Sequence, residues 1–121
     1  MDYNEKYHNL YQLFGGYLNQ SWLDIYIWEG REPTYQPIVR KYKTEFPKED
    51  IEKTIAELKE VIALDNNFDE EDWREVLSWG LSLGLRPRGF GLSPREWLED
   101  VLNILEEPME ISKKGFIPEG I

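Results

Sequence analysis

Ile51–Ile62 reads IEKTIAELKEVI. Its isoleucines and leucine, Ile51, Ile55, Leu58 and Ile62, fall at i, i+4, i+7 and i+11, the spacing of one face of an α-helix. Glu49 and Asp50 suit the positive end of its dipole. Pro47 sits just upstream, where a proline both ends one helix and opens the next. The preceding segment repeats the pattern with Tyr35, Ile38, Val39, Tyr42 and Phe46, and Pro37 is tolerable there because the first turn has unpaired N–H groups.

Working outward, the acidic run LDNNFDEEDW (residues 64–73) breaks the central helix and starts another. Asp69 is the expected N-cap, with Asp72 three residues on, and Trp73, Val76, Leu77 and Gly80 are expected on its inner face. A glycine-rich loop, GLRPRGFGL (84–92), leads to SPRE (93–96): serine cap, proline at the first helical position, glutamate at the third. Trp97, Leu98, Val101, Leu102 and Leu105 make that helix amphipathic, and Pro108 ends it. At the other end, Tyr7, Leu10, Tyr11 and Phe14 predict a helix over residues 4–14, stopped by Gly15 and Gly16. SWLD (21–24) predicts a short helix in which Ser21 caps the N–H of Asp24 and the Asp24 carboxylate reaches back.

No stretch alternates convincingly, so the fold class is all-α, a single compact domain of five to six short helices. The domain spans residues 1–107, and 108–121 form a tail that is either poorly ordered or laid over the body through Phe116 and Ile117.

The 121 residues suit one hydrophobic core. The absence of cysteine removes disulfides and thiolate metal sites and fits a reducing compartment. No apolar run reaches the roughly 18 residues of a membrane span, and the polar start MDYNEKYHN is unlike a signal peptide. A soluble cytoplasmic protein is expected. The net charge is −10, and Glu49–Glu75 holds eleven acids against Lys53, Lys59 and Arg74. A segment this acidic repels nucleic acid and membrane surfaces and attracts a basic partner.

Signs of catalysis are weak. His8 is the only histidine and reads as a surface residue. The run from Asp65 mimics a calcium loop, but position six is Glu70 where glycine is needed, and position twelve is Val76 where a bidentate glutamate is needed. GLRPRGFG lacks the lysine and hydroxyl of a phosphate-binding loop, so Arg86 and Arg88 are expected to answer acids within the protein or on a partner. No catalytic residue, cofactor or metal is expected. On composition alone the acidic segment is either a solvated face or a docking surface. A generic acidic interaction module and a hydrolase using paired carboxylates remain as other readings.

LYQLFGGYLNQSWLDIY (10–26) resembles the N-terminal signature, roughly Y-x-L-x-Q-x-F-x-G-Y-F-H-Q-D-W-x-x-D-Y, of the CdiI immunity proteins of bacterial contact-dependent growth inhibition. GLSPREWLEDVLNIL (91–105) resembles the family's G-L-[ST]-x-R-E-W-L segment, so the likeness covers most of Tyr7 to Leu105. Gln12, Phe14, Gly16, Tyr17, Gln20, Trp22 and Asp24 match the first motif; Arg95, Glu96 and Trp97 match the second. Leu18, Asn19 and Ser21 depart from the usual Phe, His and Asp.

The resemblance implies a small helical, non-catalytic protein. It would bind the C-terminal toxin domain of the cell-surface effector CdiA one-to-one as a monomer, and neutralise it in the cytoplasm. Such toxins are often nucleases with basic surfaces, for which the acidic segment is a counterpart. Family members face different toxins, so shared motifs are assigned to the fold and partner choice to exposed residues elsewhere. The expected toxin-binding set is Glu57, Glu60, Asp65, Asp69, Glu70, Glu71, Asp72, Glu75 and Trp79, the last because it lies off the buried stripe.

Overall fold

The computed structural model describes residues 3–64 and 67–120. Short helices α1 (Tyr3–Lys6) and α2 (His8–Tyr11) lead into a wide π-helical turn over Gln12–Tyr17. They are followed by α3 (Trp22–Ile25) and a two-residue strand β1 (Tyr26–Ile27). The long helices are α4 (Tyr35–Glu45), α5 (Lys48–Ile62) and α7 (Pro94–Glu106). Between α5 and α7 lie α6 (Glu70–Arg74), a second π-helical turn (Glu75–Gly80) and a 3-10 turn (Pro87–Phe90). The chain closes with α8 (Met109–Ser112) and β2 (Glu119–Gly120). The fold is mostly α, with one small exception to the all-helical expectation: β1 and β2 pair antiparallel, Tyr26 opposite Gly120 and Ile27 opposite Glu119.

Helix α7 is the centre of the packing and lies against both α4 and α5, while α2 covers the other side of α5. The stripe expected on α5 is rotated. Ile51, Thr54, Leu58 and Val61 are fully buried, and Ile55 and Ile62 sit at the core edge. Thr54 goes inward because its hydroxyl has two partners, the Asp50 carbonyl at 2.8 Å and the Tyr42 hydroxyl at 2.6 Å; a buried hydroxyl so paired incurs little desolvation penalty.

Three features of the N-terminal third differ from expectation. The helix over 4–14 is broken at Tyr7, whose φ of −117° and ψ of 52° are non-helical. The break leaves N–H groups unpaired, and the Glu57 carboxylate fills the gap by accepting from the Leu10 N–H at 3.0 Å and from Asn9 Nδ2 at 2.6 Å. Gly15 and Gly16 do not stop the helix, which widens into the π turn and runs to Tyr17. At Gly15 the reason for glycine is proximity: a Cβ there would lie 3.2 Å from that of Ser82. Ser21 makes no side-chain cap to α3. Its carbonyl accepts from the Asp24 N–H instead, and its own N–H donates to Asn19 Oδ1 at 2.8 Å.

The two sequence motifs meet in the core. Phe14 packs on Trp97 with ring centroids 5.3 Å apart, and Tyr35 meets the other side of the same indole at 5.4 Å. The far end of α7 is closed by a lysine from α4. Lys43 is only 2% exposed, and its Nζ donates at 2.7 Å to the carbonyls of Ile104 and Glu107 and to Ser112 Oγ. The Ile104 carbonyl otherwise accepts only the long 3.2 Å bond from the Glu107 N–H, and a cation suits the negative end of the dipole. Burial nevertheless pushes the Lys43 pKa down. The Ser112 hydroxyl donates to the Glu107 carboxylate at 2.7 Å, and Arg40 holds the same carboxylate at 2.9 Å. Through Ser112 this network fastens α8 to the body. Further on, Phe116 packs on Trp28 and lies under the Arg31 guanidinium.

Candidate functional site

Helix α6 starts at a reciprocal cap. The Asp69 carboxylate accepts from the Asp72 N–H at 2.9 Å, and the Asp72 carboxylate from the Asp69 N–H at 3.1 Å. These backbone donors hold the Asp69 carboxyl below its usual pKa. The helix keeps α pitch only to Arg74 and then widens. Trp73, Val76 and Leu77 point into the core, so Glu70, Glu71, Asp72 and Glu75 are left facing water. The result is an acidic ridge one short helix long.

The expected site residues do not all lie together. Asp69, Glu70, Glu71, Asp72 and Glu75 share the ridge, and Trp79 follows Glu75 by about one turn, 81% exposed. Glu70 is engaged within the protein: its Oε1 receives Arg88 Nε at 2.7 Å and Nη2 at 2.5 Å. Glu57 is half-buried against α2, committed to the Leu10 N–H as described above. Glu60 is exposed near the end of α5. Asp65 lies outside the described residues. Glu71 and Glu75 have no side-chain partner among the described residues, which leaves both carboxylates available to another molecule.

Beside the ridge runs an open groove of about 1160 Å³. It is lined from one segment by Gly15, Gly16 and Ser21 and from another by Arg74, Trp79 and Arg86. The walls are tied at the base, where the Gly84 N–H donates to the Leu18 carbonyl at 2.7 Å. A Cβ on residue 84 would fall 2.1 Å from the carbonyl carbon of Asn19, so only glycine allows this approach. Ser82, also lining the groove, is held in the left-handed region at φ 57°, a conformation that costs a non-glycine residue about 1 kcal/mol or more. Sequence reading missed this groove. Its walls come from segments some sixty residues apart, and Arg74 had counted only as a counter-charge to its acidic neighbours.

A second hollow, of about 610 Å³, is lined by Tyr35, Glu96, Glu99 and Asp100. Two of its three carboxylates, Asp100 and Glu96, are engaged in holding the fold. Asp100 accepts from the Tyr35 hydroxyl, which burial and this neighbour drive well above its usual pKa. Glu96 accepts from the Ser93 N–H at 2.8 Å in the cap of α7 and is shifted down by it. Among the described residues no group of three or more His, Asp or Glu side chains is placed to hold a metal, and no helix is long and apolar enough to cross a membrane.

A mostly helical domain, with the motif aromatics Phe14, Trp22 and Trp97 in its core and an exposed acidic ridge, defines a small acidic helical protein whose distinctive chemistry lies on its surface. The family model described as CdiI immunity protein matches residues 6–105. The chain therefore belongs to the CdiI immunity protein family, the immunity proteins of contact-dependent growth inhibition, which are toxin inhibitors rather than enzymes. None of the curated proteins matches it. Among solved structures it is similar to a crystal structure of a CdiA-CT/CdiI complex from Y. kristensenii. The two share a fold at a TM-score of 0.71 and 22% identity, over 88% of this chain and 100% of that one.

Proposed function

We propose that this protein binds the C-terminal toxin domain of a CdiA effector in the cytoplasm, one-to-one, and neutralises it by covering a basic active-site or substrate surface. A nuclease is the toxin class that fits best, because a nuclease must present cations to a phosphate backbone. The observation that carries the reading is the ridge of α6 and the turn after it, where Glu71 and Glu75 are exposed with no side-chain partner among the described residues and Trp79 follows one turn on. An exposed indole next to free carboxylates has the composition of an interface anchor, and opposite charge speeds encounter with a basic partner. The similar structure supports it further, since that CdiI was crystallised with its CdiA-CT.

The test reverses charge where no internal contact is lost. Glu71→Lys with Glu75→Lys should weaken binding of the neighbouring toxin domain, measured by calorimetry, by about 10-fold or more. The thermal midpoint should stay within about two degrees of the parent, because neither side chain supports the fold. Unchanged affinity would move the interface off the ridge. Failure of the parent protein to bind that toxin, or to rescue cells expressing it, would remove the function itself.

A further inference from the structure

The groove beside the ridge carries the opposite charge. Of the charged side chains lining it, three are arginines (Arg74, Arg86 and Arg88) and one is acidic, Glu70. Glu70 is already matched by Arg88. Arg74 and Arg86 are both exposed and form no ion pair among the described residues. In a chain with 24 acids against 14 bases, two arginines without an ion pair in one concave surface are unexpected. Trp79, the most exposed large apolar side chain among the described residues, lines the same groove.

We propose that this groove receives a carboxylate-bearing segment of the toxin polypeptide, gripped by Arg74 and Arg86 with Trp79 as its apolar anchor. The inference rests on the immunity function above and gives the interface two signs: acids on the ridge meet toxin cations, and arginines in the groove meet toxin anions. Guanidinium groups pair with carboxylates through two parallel N–H donors, which fixes register as well as attraction. Nucleic acid is the less suitable occupant. A polyphosphate entering the groove would run beside Asp69, Glu71, Asp72 and Glu75, and the repulsion would offset what two arginines gain. The groove is also pre-shaped: the Gly84–Leu18 contact and the left-handed Ser82 hold its walls before anything binds, so little ordering entropy is lost on docking.

The experiment compares the full-length parent with Arg74→Glu/Arg86→Glu for calorimetric binding to the neighbouring toxin domain, with thermal midpoints measured alongside. The double variant should bind at least about 30-fold more weakly with an unaltered midpoint, and Arg74→Lys/Arg86→Lys should recover only part of the loss. The ridge variant Glu71→Lys/Glu75→Lys should fail separately. Parent-like affinity in the double arginine variant, while the parent still binds, overturns the groove proposal and leaves immunity standing. A parent that does not bind the toxin overturns both. Fluorescence anisotropy with a labelled single-stranded RNA covers the alternative occupant: micromolar binding abolished by Arg74→Glu/Arg86→Glu would assign the groove to nucleic acid and overturn the proposal.

Discussion

Helices α7 and α6 start with the same device. Ser93 and Glu96 exchange hydrogen bonds with each other's backbone at one, Asp69 and Asp72 at the other. Each places a tryptophan in the core at once, Trp97 or Trp73. From there they diverge. Helix α7 runs thirteen residues with α4 and α5 against it, and Lys43 closes its end. Helix α6 holds α pitch for five residues, widens, and finishes without a side-chain cap. A cap determines where a helix begins; what packs along it determines how far the pitch persists. The helix with neighbours on two sides became the core, and the one with water on its outer face became the acidic ridge proposed above to meet the toxin.

The sharpest way to break this comparison uses the tryptophans. Trp97→Ala removes an indole with no exposure from between Phe14 and Tyr35, and should cost about 3–5 kcal/mol in denaturant unfolding. Trp79→Ala should change stability by less than about 0.5 kcal/mol while weakening toxin binding. Equal destabilisation by the two would mean that the ridge is built into the fold as firmly as α7. Next in size is the far end of α7. Glu107→Ala takes the acceptor from Arg40 and Ser112 and leaves Lys43 with less compensation, an expected loss of about 2 kcal/mol. The Glu107 carboxyl is held below its usual pKa by Arg40. Its contribution is therefore present above the unfolded carboxylate pKa and lost as pH falls through the folded one. Glu107→Gln should flatten the acid limb of the stability–pH curve.

The smallest effects belong to the caps. Ser93→Ala should cost about 1 kcal/mol, read from the denaturation midpoint. Asp69→Ala should cost less, because so short a helix has less to lose, and Asp69→Asn should separate charge from capping. The lowered pKa of Asp69 has the same sign as that of Glu107: its stabilisation holds at neutral pH and fades in acid. A larger loss at Asp69 than at Ser93 would reverse the ranking of the two helices.

The legible part of this fold was local. The α5 periodicity, Pro47, SPRE and the Asp69–Asp72 pair each act within a few residues, and each marks an element that formed where expected. Less legible were the features set by distant partners. Thr54 faces inward because Tyr42 waits for it, and position 15 is held to glycine because Ser82 crowds it. The Ser21 cap fails because Asn19 takes its N–H. The site divided in the same way. That Trp79 and the ridge acids are exposed followed from helical spacing, whereas the commitment of Glu57 to Leu10 and the groove depend on segments far apart in the chain.

The contact at Gly84 bears on how such a protein could change its target. Because backbone joins the groove's two walls there, the exposed side chains on its surface can change without breaking that contact. Positions 74, 79 and 86 are thus open to exchange, and substitutions that redraw the recognised surface need not first be compensated in the core. A lineage could follow a changing toxin one exposed residue at a time, with folding and recognition under separate selection.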